Sequence, residues 1–235
     1  MPPTNEERLS AKTINADIES HVHKIDSELR AGFEFLRQYP RSVSIFGSAR
    51  TTPKSPHYEQ AEKLGNRIVS ELGYTVITGG GPGIMEAANK GAHHAEKGKL
   101  VGHASLGLAI KLPREQHSNP YVDKEVAFEY FFTRKAMLNF AAEAYVFFPG
   151  GFGTFDELFG IVTLIQTVKI PRVPIILVGK DFWNPIVHFI KTNMLEKHHN
   201  IAPDDMNLFA VTDNIDTAME MIKRAPVSDW WRMAD

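Results

Sequence analysis

The residues of this chain best suited to chemistry lie in the stretch 149–157, PGGFGTFDE. Glycines fill three of four consecutive positions there, and a hydroxyl and a carboxylate follow them: Gly150, Gly151, Gly153, Thr154 and Glu157. Because glycine has no Cβ, it can adopt positive φ and lets an anion approach the main chain. The unpaired N–H groups and partial positive charge of a helix beginning here favour a phosphate. The stretch therefore predicts a phosphate site, with the Thr154 hydroxyl as a further donor.

Glu157 has a different role in this interpretation. A carboxylate one turn into the helix would repel a phosphate, so we expect Glu157 to face a neighbouring part of the ligand. The alternative is a tight turn capped by Thr154, in which Asp156 and Glu157 only complement the helix dipole. Both interpretations remain open from the residues alone.

The segments on either side of the stretch predict where it lies in the fold. Residues 144–148, AYVFF, are apolar and aromatic and indicate a buried strand. Residues 158–165 carry apolar side chains at helical spacing. The glycines therefore lie on a strand-to-helix turn, which is where a parallel α/β sheet binds its ligands.

Two adjacent cations, Arg134 and Lys135, lie near the start of a helix predicted to open within residues 129–138. The helix dipole disfavours positive charge at this end. The pair therefore indicates an anionic partner, and the alternative is a pair of solvated surface cations.

A second glycine run, Gly79–Gly83, follows a predicted strand at 74–78 and opens a predicted helix at 84–96. A dinucleotide fingerprint follows the first strand and needs an acidic residue at the end of the next one. Residues 99–103 offer no such acid, so NAD is excluded, and the run is expected to shape a sugar pocket beside the site. Ser48, in the turn after the first predicted strand 42–50, is either a phosphate contact or part of a simple turn.

Strands and helices alternate along the rest of the chain. Further strands are predicted at 99–111, 174–179 and 207–211, and further helices at 58–72, 183–195 and 215–224. This alternation predicts an α/β fold, a Rossmann-like doubly wound parallel sheet flanked by helices. We expect one catalytic domain, 41–235. It follows a tail and an extra amphipathic N-terminal helix within 1–40, whose apolar seam packs on the domain or on another subunit.

Composition limits the classes of function. A chain of 235 residues with net charge −2 gives no reason to expect nucleic acid or an anionic membrane as partner. The absence of cysteine excludes disulfides and thiolate catalysis, and the ten histidines show no metal-ligand spacing. No apolar run approaches ~20 residues, and the polar N-terminus is unlike a secretory signal. We therefore expect a cytoplasmic protein without a metal.

The motifs together resemble the LONELY GUY family of cytokinin riboside 5′-monophosphate phosphoribohydrolases, long mislabelled as lysine decarboxylases. The stretch 149–157, the pair Arg134 and Lys135, and the run Gly79–Glu86 carry the resemblance, which spans about residues 42–224. The chain is most similar to the longer bacterial branch. Short plant-type members have Met-Gly at Met85-Glu86 and Glu-Glu at Asp156-Glu157, and they lack the N-terminal helix.

The resemblance implies hydrolysis of the N-glycosidic bond of a purine nucleoside 5′-monophosphate, AMP or an N6-modified cytokinin type, to free base and ribose 5-phosphate. It implies no cofactor and a homodimer or larger homo-oligomer. Arg134 and Glu157 are the implied catalytic pair. The substrate-binding candidates include residues of both glycine runs. They are Ser48, Gly80, Gly81, Glu86, Glu115, Lys135, Gly150, Gly151, Gly153, Thr154 and Thr163.

Two other functions remain as alternatives. A protein of the same fold can be a carrier or sensor that binds a phosphorylated nucleotide or pterin without catalysis, similar to molybdenum-cofactor carrier proteins. Lysine decarboxylation needs pyridoxal phosphate bound to a lysine, and no sequence feature marks such a lysine.

Overall fold

The computed structural model describes residues 11–95, 103–111 and 118–226. The strands within these ranges are β1 Ser42–Phe46, β2 Thr75–Thr78, β3 Ser105–Ile110, β4 Lys124–Phe128, β5 Ala144–Phe147, β6 Ile175–Val178 and β7 Ala210–Thr212. The helices are α1 Ala11–Leu36, α2 Pro56–Leu72, α3 Ile84–His94, α4 Phe131–Phe140, α5 Phe152–Gln166, α6 Lys180–Phe189 and α7 Ile215–Lys223. None of the helices described is both long and apolar enough to cross a membrane.

The strands form one parallel sheet in the order β4-β3-β2-β1-β5-β6-β7. The chain builds outward from β1 through β2 and β3 to β4, then returns to the other side of β1 with β5. The strand order therefore reverses between β1 and β5, and the turns that follow these two strands open at the same edge. A doubly wound sheet binds ligands at such a point. The predicted fold class is confirmed.

The central strands are apolar because helices cover both faces of the sheet. All residues of β1, β2, β5 and β6 are buried. Val43, Ile45 and Val146 face a core shared with α2, α3 and α7. Phe46 and Phe147 face the other core, which is shared with α4, α5 and α6. Continuous burial of this kind is typical of parallel sheets.

Several predicted elements differ from the structure, and three of the differences have a physical reason. The edge strand β4 was not predicted, because KEVAF is mostly exposed and carries the charges with which edge strands avoid pairing further. The last strand begins at Ala210, since Pro203–Asn207 forms a 3₁₀ turn instead of leading into a strand. The helix predicted at 183–195 begins earlier, and its last turns, Ile190–Lys197, are π-helical.

The N-terminal helix packs on its own chain. Leu36 is buried in the core on the α4 side of the sheet, and the ring of Phe33 lies 5.8 Å from that of Phe140 on α4. Ile18 and Val22 are more than half exposed. The helix therefore packs on the domain, one of the two predicted partners. The division of the chain into 1–40 and 41–235 stays a prediction.

Candidate active site

The stretch 149–157 forms the turn between β5 and α5, as the sequence predicts. Helix α5 begins at Phe152, and its N-cap residue is Gly151, with φ −95°. Among the described glycines, positive φ occurs at Gly80 and Gly83 in the other glycine run, but not at Gly150, Gly151 or Gly153. The expected use of positive φ in the stretch 149–157 is therefore wrong, and any advantage of glycine there is a matter of space.

The three glycines of this turn differ in their surroundings. A Cβ on Gly150 would collide with the side chain of Thr154. Within the described ranges, a Cβ on Gly151 or Gly153 would have no heavy atom within 4 Å apart from the adjoining backbone of its own turn. Open space over the first turn of α5 therefore lies at Gly151 and Gly153. Thr154 is 7% exposed and packs over Gly150. No side chain in the described part of the structure caps α5, so the alternative in which Thr154 caps the turn does not describe the structure.

Glu157 lies in the second turn of α5 and is mostly buried. Its Oε2 has no hydrogen-bond partner among the residues that the structure describes. Burial raises the pKa of Glu157 to about 7, and the positive charges of Lys135 and Arg134 oppose part of this rise. A buried carboxyl with an unused oxygen and a pKa near neutrality is typical of a functional site.

Arg134 approaches Glu157 from α4 and is held by β3. Its Nε donates a hydrogen bond of 2.8 Å to the carbonyl of Leu108, and its guanidinium lies against Gly79. Burial lowers the pKa of Arg134, and the charge of Glu157 partly offsets this effect. The two residues affect each other's charge, but no direct ion pair joins them in the described parts of the chain.

Lys135, the second cation, is tied to α5. Its Nζ lies 2.6 Å from Oδ1 of Asp156 and donates a hydrogen bond of 3.0 Å to the carbonyl of Asp156. The adjacent cations Arg134 and Lys135 therefore project from α4 toward Glu157 and Asp156 on α5. The alternative of solvated surface cations does not describe Arg134, and it describes Lys135 only in part.

The second glycine run borders a small cavity next to Arg134. A space of about 150 Å³ is lined by Gly79, Gly80, Gly81, Met85, Ala109, Ile110, Ser118 and Arg134. Asn119, which is 8% exposed, stabilises this turn, since its side-chain amide donates to the carbonyls of Gly80 and Gly81. The same amide donates to Asn89 Oδ1 over 3.0 Å, which joins the turn to helix α3. The turn is therefore fixed by buried side-chain amides.

Ser48 joins the three turns at this edge of the sheet. Its N–H donates to the carbonyl of Pro149 over 3.0 Å, and its carbonyl accepts from the N–H of Ile84 over 3.1 Å. A Cβ on Gly83 would collide with that carbonyl, so glycine is required there. The Ser48 hydroxyl accepts from the N–H of Arg50 over 3.1 Å.

The remaining candidates either bond to residues other than those described above or lie outside the described residues. Glu86 Oε1 accepts a hydrogen bond of 2.8 Å from the Tyr58 hydroxyl. Thr163 is exposed, and its hydroxyl donates to the carbonyl of Phe159 over 2.7 Å. It lines an open groove of about 640 Å³ between α4 and α5. Glu115 lies outside the described residues.

The prediction missed Asn139 and the supporting role of Asn119. Asn139 on α4 is 8% exposed and lines the α4–α5 groove, and its Oδ1 has no hydrogen-bond partner in the described ranges. No local pattern singles out either asparagine, because both acquire their roles through contacts distant in sequence. The structure describes no group of three or more His, Cys, Asp or Glu residues that could hold a metal.

This arrangement has a definite chemical capacity. It combines an open helix N-terminus at Gly151 and Gly153, a buried carboxyl at Glu157 and a buried cation at Arg134, all at the switch point of the sheet. Such a set can bind an anionic group at the helix end and present a carboxylate to a part of the ligand that becomes positive.

Comparisons with solved structures support the fold. The X-ray structure of TM1055 matches 78% of this chain and 99% of its own with a TM-score of 0.52 and 23% identity. The molybdenum cofactor carrier protein MCP of Chlamydomonas reinhardtii matches 79% of this chain and 98% of its own with a TM-score of 0.54 and 20% identity. At these identities the likeness shows a shared fold alone.

Sequence comparisons identify relatives among plant enzymes. Cytokinin riboside 5′-monophosphate phosphoribohydrolase LOG7 of Arabidopsis thaliana is 29% identical over 153 residues, 64% of this chain and 67% of that protein. The LOG enzyme of Oryza sativa subsp. japonica is 29% identical over 154 residues, and the match spans only 60% of its length. LOG3 of Arabidopsis thaliana is 27% identical over 187 residues, 78% of this chain and 81% of that protein.

A family model described as possible lysine decarboxylase matches residues 85–222, more than half of the chain. This range contains Arg134, Lys135 and the whole stretch 149–157. The same motifs carry the resemblance that the sequence predicts. The chain therefore belongs to this family, the LONELY GUY or LOG family.

Proposed function

We propose that this protein hydrolyses the N-glycosidic bond of purine nucleoside 5′-monophosphates, releasing the free base and ribose 5-phosphate. The observation that carries the proposal is Glu157, a buried carboxyl whose Oε2 is unpaired and whose pKa burial raises to about 7. It lies one turn along the helix from the open space at Gly151 and Gly153. One helix thus offers an anion site and a carboxylate about one turn apart along its axis.

The open first turn of α5 supports binding of the 5′-phosphate. Its N–H groups lack helical partners, and the helix dipole adds partial positive charge. The phosphate lies far from the bond that breaks, so its binding free energy serves to place the ribose next to Glu157. On this basis AMP binds more tightly than adenosine.

Glu157 supplies the negative charge that the reaction needs. Cleavage of a glycosidic bond develops positive charge on the sugar, as in an oxocarbenium-like transition state. The Glu157 carboxylate stabilises that charge and takes a proton from the attacking water. Water adds to the anomeric carbon, the bond to the base nitrogen breaks, and the base leaves with its electron pair and receives a proton.

Arg134 is better placed to contact the ligand than to hold Glu157. Its Nε is occupied by the carbonyl of Leu108, and its guanidinium lines the cavity formed by the second glycine run. No ion pair with Glu157 is present in the described residues. We therefore assign Arg134 to the departing base, whose developing negative charge it stabilises.

The names of the relatives bear on the substrate. LOG7 and LOG3 of Arabidopsis thaliana are named for cytokinin riboside 5′-monophosphates, so N6-modified AMP and AMP itself are the substrates to compare. The family description names a possible lysine decarboxylase. Pyridoxal phosphate chemistry requires a lysine amine free to form a Schiff base. Lys135, whose charge acts on Glu157, is instead paired with Asp156.

We further propose that the protein is a homodimer or a larger homo-oligomer. Apolar side chains are exposed on and near the α4–α5 groove: Phe131 and Phe132 are 65% and 55% exposed, and Phe152 and Phe159 are 96% and 40% exposed. Exposed aromatic groups of this size are typical of interaction surfaces. A second copy of the chain would cover them.

The test is incubation of the pure protein with AMP, N6-modified AMP analogues and adenosine, followed by chromatography of the products. The proposal predicts free base and ribose 5-phosphate in equal amounts from the monophosphates, with adenosine a poor substrate. Tight binding of AMP without release of base would contradict it and would support the carrier or sensor.

A further inference from the structure

Helix α4, which carries Arg134, begins without a cap of its own. Its N-cap residue is Tyr130, and no side chain of the helix start makes a cap hydrogen bond. The helix then places Arg134 and Lys135 near its positive end, an arrangement that the helix dipole disfavours. Another part of the molecule must therefore stabilise this end of α4.

Glu28 of α1 supplies the missing cap from a distance of about 100 residues in sequence. Its Oε1 accepts from the N–H of Glu129 over 2.6 Å. Its Oε2 accepts from the N–H of Tyr130 over 3.4 Å and from the Thr133 hydroxyl over 2.5 Å. The carboxylate thus accepts from the main-chain N–H groups of the N-cap residue and of the residue before it, and it places a negative charge where the dipole favours one.

The contact meets α4 directly beside its functional residue. Thr133, which the Glu28 carboxylate contacts, is fully buried and immediately precedes Arg134. On the other side, Arg134 is fixed by its hydrogen bond to the carbonyl of Leu108 on β3. The start of α4 is therefore held by two contacts at adjacent residues. Thr133 bonds to Glu28 of α1, and Arg134 bonds to the carbonyl of Leu108 on β3.

Other contacts of α1 with this region are weaker. His21 Nδ1 lies 2.6 Å from the Tyr130 hydroxyl, and Lys24 Nζ lies 3.5 Å from the Glu129 carboxylate, but both pairs are exposed to solvent. Exposed pairs contribute little because water screens them. Glu28 is the contact that combines a charge with main-chain donors and a buried hydroxyl.

We propose that Glu28 is a positioning residue for Arg134, and that α1 thereby forms part of the catalytic apparatus. The proposal rests on the proposed function for the role of Arg134. It also assigns a function to α1, a helix that lies outside the range 85–222 matched by the family model. A cap that only stabilises the fold would leave the position of Arg134 and the rate unchanged.

The kinetic experiment compares Glu28→Gln with Asp26→Asn. Both changes neutralise a carboxylate on α1, but Asp26 pairs only with Arg30 on the same exposed face in the described contacts. Displacement of a group that acts in the transition state lowers kcat more than it changes KM. We expect kcat for AMP to fall about tenfold in Glu28→Gln, with KM changed less than about threefold, and no change in Asp26→Asn.

A second pair of variants tests the same contact from α4. Thr133→Val removes the hydroxyl that donates to Glu28 and nearly conserves volume, whereas Thr133→Ser retains the hydroxyl. We expect Thr133→Val to lower kcat in the same direction as Glu28→Gln, and Thr133→Ser to retain most of it. Loss of kcat in Thr133→Ser equal to that in Thr133→Val would contradict the proposal.

A spectroscopic measurement separates this proposal from the proposed function. The Arg134 Nε–H, which is partly buried and donates to the carbonyl of Leu108, should give an ¹⁵N-edited signal that exchanges slowly, and Arg134→Lys assigns it by its loss. We expect Glu28→Gln to shift this signal and speed its exchange, while Asp26→Asn leaves it unchanged, even if the wild-type protein releases no base. An unchanged signal in folded Glu28→Gln would overturn the positioning role, whether or not kcat falls.

Discussion

At the scale of single residues, the site depends on the protonation state of Glu157. Burial raises its pKa to about 7, and the charges of Lys135 and Arg134 limit that rise. The ionised form is required to stabilise a positive sugar, and it becomes the minor form as pH falls below 7. We therefore expect kcat/KM for AMP to rise with pH, with its inflection near the Glu157 pKa of about 7, and to level off about one pH unit above that value.

Replacing Lys135 tests this assignment, because its charge lowers the pKa of Glu157. Lys135→Met removes that charge and leaves Asp156, whose charge acts in the opposite direction, without its partner. The inflection of kcat/KM against pH should therefore move to higher pH. The measurement is a pH profile for wild type, Lys135→Met and the exposed control Lys169→Met.

The substrate phosphate ionises near pH 6, but its contribution is common to all three proteins, so the difference between their profiles reports the enzyme. An inflection that stays in place or moves to lower pH in Lys135→Met would show that another group controls the rate.

Single residues also show which properties of the site can be predicted from the sequence. The type and spacing of Gly151, Gly153 and Glu157 predict an anion site beside a carboxylate, because those properties are local to one turn. The raised pKa of Glu157 and the cap from Glu28 could not be predicted, since they depend on burial and on contacts between distant segments. Strand β4 was missed for a related reason: its charged, exposed residues identify it as a strand only once β3 lies beside it.

At the scale of elements, the glycines at the beginning of α5 serve two different purposes, packing inside the protein and space for a ligand outside it. Gly150 makes room for the Thr154 side chain inside the protein, whereas Gly151 and Gly153 leave room outside it. Structure and binding should therefore respond differently to the same substitution at these positions.

We expect Gly151→Ala to remain as stable as the wild type and Gly153→Ala to gain up to about 1 kcal/mol from helix propensity. Both should bind AMP at least about tenfold more weakly, since a methyl group enters the space assigned to the phosphate. Gly150→Ala should instead lower the thermal midpoint, because Thr154 must move. Thermal unfolding and calorimetry with AMP and adenosine measure the two effects.

Two results would contradict this interpretation of the turn. One is AMP binding of wild-type strength in both Gly151→Ala and Gly153→Ala. The other is equal affinity of the wild-type protein for AMP and adenosine, which would leave the phosphate no role at this helix end.

At the scale of the whole molecule, the reversal of strand order between β1 and β5 brings the turns together. Ser48 bonds to the turns that follow β2 and β5, so the positions of both glycine runs are coupled through one residue. The helices α4 and α5 then carry the charged groups to this edge from one face of the sheet. The alternation of predicted strands and helices predicts the doubly wound class of this sheet, whereas the strand order depends on pairing between distant segments.

The proposed assembly of the chain into a homo-oligomer can also be tested at this scale. If a second copy covers the groove between α4 and α5, Phe159→Glu should disrupt the oligomer, because a charge would be buried without a partner. Phe189→Glu, at a 57% exposed phenylalanine on α6, is the matched control. Light scattering after size exclusion should give a smaller mass for Phe159→Glu only. A monomeric wild type, or equal masses for all three proteins, would refute assembly through this groove.

The measurement that tests the central claim most directly is AMP turnover by Glu157→Gln, with AMP affinity measured on the same sample. The substitution keeps the size of the side chain and removes its charge, so the phosphate site should be preserved. We predict AMP affinity within about threefold of the wild type and a loss of kcat of at least about 100-fold. Wild-type release of adenine by Glu157→Gln would contradict the account.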